Sequence, residues 1–431
     1  MTILGLISLV VLVFAGVPIY LAIGIGVIFL LIIGVGVDPM MPMITIFDRM
    51  SSPMLIAVPL FILLGQILAT GGSARPLVRL LNAFMGHIPG GPAYALILAN
   101  VMVAAMCASS LAGIMAFGPV MIPMLRNLGY SERFSYGLLI CSSTLEPLIP
   151  PSIITIIYSF ITGSTGDKPV PVLTLWTGSI IPGVLIAFLL GVTVYIHSKR
   201  GHFQRLPRAD WSERWQALKE GWAIALMPAV VLGPLYIGWT TPTETAAVGL
   251  VYVLLISIFI YRGLTLKGFW QACATSTQVL SQVFVIVMGA ILLLTAFTYN
   301  EIPQDLSNWL IDLGLNWYSF IVVVLILYLL MGMFLDPAAI ILISVPALLA
   351  SVDGLGINLI MYGIFTTIAV NLANITPPYG MVIFATMGAL NKPYGFIVRS
   401  CLMFYPALFI GLILIAFIPG LCTWLPEVTG R

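Results

Sequence analysis

LEPLIPPS at residues 145–152 and ANITPPYG at residues 373–380 each set two consecutive prolines inside a long apolar stretch. Proline lacks an amide hydrogen and clashes with the preceding turn, so a pair of them interrupts a helix. In hydrocarbon, each main-chain carbonyl freed by such a break costs several kcal/mol unless something binds it. A desolvated cation is a natural partner for those carbonyls. The half-helix that follows offers amides and a positive dipole end to an anion. An ordinary kink needs one proline; two, in both places, point to a binding function.

The two stretches are 227 residues apart, and the same offset carries much of the chain onto itself. It sets Pro119 on Pro346, Leu128 on Leu355, Gly129 on Gly356, Leu145 on Leu372, and Pro150 and Pro151 on Pro377 and Pro378, with Ser109 opposite Asp336. The segment 52–70 lands on 269–299, and 171–197 on 400–425. The members of each pair run in opposite directions across the membrane in the orientation derived below, which makes this an inverted-topology repeat. Such repeats give two conformations of similar energy, one open to each face, with the ligand near the midplane. The competing reading is duplicated packing in a static scaffold.

Composition fixes the solvent. Of 431 residues, 61% are hydrophobic and 7% charged, against roughly a quarter charged in soluble domains, so most of the chain lies in lipid. The net charge of +2 argues against a nucleic-acid partner. Cys107, Cys141, Cys273, Cys401 and Cys422 sit in apolar segments without CxxC spacing, which argues against disulfides and zinc. The apolar stretch from Ile3 to Val37 is longer than a signal-peptide core and reads as a retained anchor.

Nearly uncharged segments span residues 1–36, 52–70, 91–125, 134–160, 171–197, 221–239, 245–261, 269–299, 317–351, 357–390 and 400–425. The expected fold is all-α and integral to the membrane, with about ten crossings and two re-entrant hairpins. The loop carrying Lys199, Arg200, Arg205, Arg208, Arg214 and Lys219 is cytoplasmic by the positive-inside rule. Arg75, Arg79, Arg126, Arg133, Arg262, Lys267, Lys392 and Arg399 then fall on the same side, and Glu301, Asp305 and Asp312 outside. Residues 91–125 and 317–351 each contain two arms short for full crossings. They read as hairpins, the first entering from the cytoplasm and the second from outside. One pass or two for residues 1–36 stays open.

The division expected is an N-terminal scaffold segment (1–50), a first repeat (51–197) with its hairpin and the broken helix 134–160, and a basic loop with linking helices (198–268). A second repeat (269–425) with the broken helix 357–390 follows, then a short tail (426–431). Two acids lie well inside predicted membrane segments: Glu146, four residues before Pro150, and Asp336, at the second hairpin tip. A carboxylate there is expensive and marks a cation ligand or a proton carrier. Ser109, Ser110, Ser142, Ser143, Thr144, Ser152, Asn371, Asn374 and Thr376 supply small polar groups, although each alone more commonly bonds a helix carbonyl. Glu244 in TPTE at 241–244 reads as a helix cap.

At this point the chain resembles the large membrane subunit, of DctM type, of tripartite ATP-independent periplasmic (TRAP) transporters within the ion-transporter superfamily. The resemblance rests on IAVPLFILLGQIL at 56–68, GHIPGGPAYALILANV at 86–101, IPMLRNLGY at 122–130, LIPPS, IIPG at 180–183, TPTE, GMFLDP at 332–337 and ITPPYG. It implies an elevator-type secondary transporter of the bacterial inner membrane, with no organic cofactor and with sodium as coupling ion. It also implies three partners: a small four-helix membrane subunit of DctQ type, a periplasmic binding protein of DctP type, and the small organic anion that the latter delivers. Carried onto matching positions, the first cation site is Ser109, Ser110, Glu146, Leu148 and Pro150. The second is Gly332, Asn374, Thr376 and Tyr379. The solute would meet Ser109, Ser110, Ser152, Asp336, Asn371, Asn374 and Thr376.

The sequence departs from that pattern twice. The tip usually reads Gly-Ser-Ser and a small residue but here is Ala108, Ser109, Ser110, Leu111, and Glu146 stands where GxLIPPS begins with glycine. A carboxylate there would strengthen sodium binding, replace backbone ligands, or convert the site to proton coupling. Competing readings are a stand-alone sodium- or proton-coupled organic-anion permease and a non-transporting membrane scaffold. An enzyme is disfavoured, since no histidine accompanies the acids inside a span.

Overall fold

In a computed structural model of the chain, the described residues are 11–12, 17, 19–107, 110–165, 168–200, 204–333, 335–378 and 380–430. Among them every regular element is helical. Six helices of the described residues are long and apolar enough to cross a bilayer: Pro53–Thr70, Val172–Lys199, Trp211–Ile237, Pro242–Ile260, Leu266–Tyr299 and Pro337–Gly354. Two bent pairs add to them, Met381–Leu390 with Tyr394–Cys401 at 117° and Tyr405–Phe417 with Gly420–Thr429 at 60°.

The two repeats are drawn in the same local geometry. The second hairpin arms, Ser110–Asn127 and Pro337–Gly354, are both 18 residues long and start 227 residues apart. Both then turn through a left-handed glycine, Gly129 at φ 87° and Gly356 at φ 68°, a conformation that costs glycine little and other residues more. The turn's hydrogen bonds repeat as well. Tyr130 N donates to Leu125 O and Ile357 N to Val352 O, while Gly129 N donates to Arg126 O and Gly356 N to Asp353 O. Ser131 and Asn358, again repeat mates, cap the next helices, Glu132–Ser143 and Leu359–Ala373, supplying acceptors to first-turn amides that have no partner within the helix.

Each capped helix stops at its proline motif. Glu132–Ser143 is followed by non-helical chain to Ser152 and then Ile153–Thr165; Leu359–Ala373 is followed by a break and then Met381–Leu390. Both prolyl bonds, Pro150–Pro151 and Pro377–Pro378, are cis. The broken helices are interlocked. A Cβ on Gly137 would lie 2.0 Å from the Ser400 carbonyl oxygen, and one on Gly363 would lie 2.6 Å from the Tyr158 ring. The Tyr158 hydroxyl donates to Leu359 O at 2.8 Å. Each repeat thus sets a glycine against the other, one on a main-chain carbonyl and one on an aromatic ring.

The halves differ around this shared centre. Val172–Arg200 is one 29-residue helix, whereas its counterpart bends by 60° before Gly420. Leu266–Tyr299 has 34 residues, about 50 Å of helix, against 18 in Pro53–Thr70. Ile19–Val27 continues as a π-helical turn to Val35 and packs on Leu266–Tyr299, with Asn300 Nδ2 donating to Leu30 O. Phe188, Val184 and Phe259, each more than 60% exposed, lie on long apolar helices, as lipid-facing chains do.

Among the described residues, each ion pair joins charges that the charge pattern assigns to one side. Arg79 meets Glu220 at 2.6 Å, Glu132 meets Arg126 at 3.5 Å and Lys392 at 2.7 Å, all cytoplasmic by that pattern, and Lys168 pairs with Asp353 outside. Near the basic loop, Arg214 lies over Phe84 and Trp211, and Lys219 over Trp215, the amphipathic mixture found where helices leave the bilayer. Glu244 and Thr241 form a reciprocal cap at the start of Pro242–Leu255, as TPTE suggested.

Candidate functional site

The breaks lie opposite one another. Thr144 and Leu148 from the first, and Ile368, Asn371 and Leu372 from the second broken helix, line a small, tight cleft. Ile186 and Leu408 close its sides. Thr144 and Asn371 are repeat mates and supply its polar side chains. The cleft is therefore a narrow space with one polar group from each half.

Most small polar side chains nearby are engaged locally. Ser142 Oγ donates to Leu138 O, Ser143 Oγ to Ile140 O, Thr144 Oγ1 to Cys141 O and Thr376 Oγ1 to Leu372 O, at 2.6–2.8 Å. Asn371 Nδ2 donates to Thr367 O, leaving its carbonyl oxygen for other partners. Ser152 is fully buried and caps the half-helix after the first break, accepting from Thr155 N. Ser110 is buried in the first turn of its hairpin arm. Ser109 and Tyr379 lie outside the described residues.

The second break is closed mainly by side chains. Asn374 Oδ1 accepts from Met381 N at 3.1 Å, and its main-chain oxygen accepts from Val382 N. Two other carbonyls within the break accept tyrosine hydroxyls, Ile375 O from Tyr405 and Pro378 O from Tyr394. The sequence reading assigned such carbonyls to cations and missed both tyrosines. Their positions 16 and 30 residues along the chain gave no local signal. Gly332, at the end of the first hairpin arm, meets this break: a Cβ there would sit 2.2 Å from Ala373 Cβ. Asp336 is half-buried and caps Pro337–Gly354 by accepting from Ala338 N and Ala339 N. The cap gives the carboxylate a structural task at the tip.

The first break is unlike the second. Leu148, Pro150 and Glu146 are buried, and Glu146 has no exposed surface at all. Its carboxylate occupies the notch left by Gly113, where a Cβ would fall 1.7 Å from Oε1. Neither oxygen finds a hydrogen-bond partner in bonding geometry, and the main-chain amide of Gly113 is the group that approaches it. A buried acid with open acceptor positions fits a desolvated cation; the second break, with Asn374 Oδ1 and two of its carbonyls taken, offers fewer free oxygens.

Comparison with known proteins identifies the family. A family model described as the DctM component of the tripartite ATP-independent periplasmic transporter matches residues 6–421. The C4-dicarboxylate TRAP transporter large permease protein DctM of Pseudomonas aeruginosa is 34% identical over 389 residues, covering 90% of this chain and 89% of that protein. The sialic acid TRAP transporter large permease protein SiaM of Vibrio cholerae is 28% identical, covering 87% and 86%. Among solved structures, the Alcanivorax borkumensis YdaH transporter covers 87% of each chain with a TM-score of 0.59 at 14% identity, a likeness of fold alone. These relatives are transport permeases, not enzymes, and the chain belongs to the DctM family of TRAP transporters as a multi-pass large permease component.

Proposed function

We propose that the chain is the inner-membrane permease of a cation-coupled importer for a small organic acid, of the dicarboxylate or sugar-acid class. A small four-helix membrane subunit and a periplasmic binding protein would complete the system, the latter delivering the solute. The cleft between Thr144 and Asn371 carries the reading, because it lies between the two broken helices and each contributes one polar group. An anion entering it would be held by hydroxyl and amide groups and by the positive ends of the half-helices starting at Ile153 and Met381. Acids and breaks that bind sodium would offset its charge, since no lysine or arginine lies within the broken helices' apolar cores.

Loading order follows from electrostatics. Cation binding at the breaks comes first and fixes the hairpin tips, the anion binds the neutralised cleft, and the loaded assembly then opens to the other side. The test is uptake of a C4-dicarboxylate by proteoliposomes holding the permease with its small subunit and binding protein. Accumulation only under an inward sodium gradient is expected; equal uptake without any ion gradient would reject coupling.

A further inference from the structure

Four residues around the Gly113 notch differ from their repeat mates together. Asn100, Gly113, Ser142 and Glu146 correspond at the 227-residue offset to Leu327, Ile340, Ala369 and Ala373. The second half closes the same framework with apolar groups, so the fold does not require polar ones here.

The four form one cluster. Asn100 has no exposed surface, and its Nδ2 donates to Ser142 Oγ at 2.6 Å, which in turn donates to Leu138 O. These bonds fix the amide so that Asn100 Oδ1 points away from Ser142, and this oxygen has no partner. It lies 3.0 Å from the position of a Gly113 Cβ, on which Glu146 Oε1 also converges at 1.7 Å. Three acceptor oxygens, two carboxylate and one amide, are thus buried together with no hydrogen bond in good geometry, the Gly113 amide being the donor that approaches the carboxylate. Burying one such oxygen unpaired already costs a few kcal/mol, and a bare carboxylate more. A hard monovalent cation, which takes oxygen ligands, removes that cost.

We propose that Glu146 and Asn100, braced by Ser142 and admitted by Gly113, form a side-chain sodium site in the first half, beyond the main-chain breaks. The inference rests on the sodium-coupled reading above. The cluster joins three elements, the two arms of the first hairpin through Asn100 and Gly113 and the first break through Glu146, so the ion ties the hairpin to the broken helix. Loaded, the site is neutral. Empty, it leaves an acid that is either charged without a counter-ion, which disfavours movement of these elements across the bilayer, or neutralised by a proton, the alternative that the two pH values below distinguish.

The test compares the parent complex with Glu146→Gln and with Asn100→Leu, the residue the second repeat uses, in sodium-dependent C4-dicarboxylate uptake. Sodium-induced thermal stabilisation of the purified complex is measured in parallel, at two pH values. Each variant is expected to raise the half-saturating sodium concentration at least about tenfold and to reduce the stabilisation, at both pH values. Should Glu146→Gln fail to assemble, Asn100→Leu alone carries the test. Unchanged sodium dependence in the variants of a sodium-dependent parent would overturn this site while leaving sodium coupling intact. Parent uptake driven by a pH gradient, with that drive lost in Glu146→Gln, would overturn sodium in favour of a proton. A parent with no ion dependence would instead reject the coupled reading itself.

Discussion

Gly332 stops at a hydrogen because Ala373 fills the next position, and the close contact seats the second hairpin on its broken helix. Gly332→Ala is expected to push the two apart, with an overpacking cost of about 1–3 kcal/mol and a substantial loss of uptake. Ala373→Gly in the same chain should restore much of both, as read by uptake and thermal unfolding; no rescue would show that the contact does not set the hairpin's position. Tyr405 serves a carbonyl within the second break. Tyr405→Phe leaves Ile375 O without that donor and is expected to cost about 1–3 kcal/mol, seen as a lower unfolding temperature of the purified complex. These residues were legible to different degrees. Glu146 and Asp336 stood out as acids in apolar sequence, and the hydroxyls that bond helix carbonyls were foreseeable from their chemistry. Asn100 and Tyr405 were not, because an amide or a phenol within a span has many ordinary uses and only the fold brings each to its partner.

At the scale of elements, proline and glycine placement made the breaks and turns readable, since both residues act through the local backbone. The 117° bend between Met381–Leu390 and Tyr394–Cys401 was not readable. It depends on how the second broken helix returns against Glu132–Ser143, a contact between residues some 260 positions apart. There Glu132 and Lys392 staple the two repeats at the end that the charge pattern assigns to the cytoplasm. The hydrogen bond from Lys392, ahead of its charge and that of Arg126, holds the Glu132 carboxyl below the usual carboxylate range despite some desolvation, and the Lys392 ammonium is raised chiefly by the same bond. A depressed carboxylate contributes stability that is present above its unfolded pKa and is lost as pH falls through its folded pKa. A raised ammonium loses its contribution only as pH rises through its folded value. The staple is therefore complete near neutral pH and weakens on acidification below the ordinary glutamate value of 4.5. Both groups are exposed enough that solvent screens the pair, so the effect is small. Glu132→Gln is expected to lower the unfolding temperature by no more than a few degrees near neutral pH, with the difference from the parent shrinking in acid. A difference independent of pH would assign the loss to packing.

Across the whole molecule, the inverted repeat organises both the fold and the proposed transport. Period and landmark residues revealed it in the sequence because each half must solve the same problem of ending a helix inside lipid, with the same prolines, glycine turns and caps. The asymmetries were hidden, because the long helix of one half and the bent pair of the other are apolar alike. Function is expected to reside where symmetry and asymmetry meet: a cleft shared by Thr144 and Asn371 for the solute, and a polar cluster in one half alone for an ion. The most direct measurement is an electron cryomicroscopy structure of the assembled transporter with a C4-dicarboxylate and sodium. Solute density between Thr144 and Asn371, contacting both broken helices, is the expected result; solute bound elsewhere, with that cleft closed by packed side chains, would contradict the shared cleft as the binding seam.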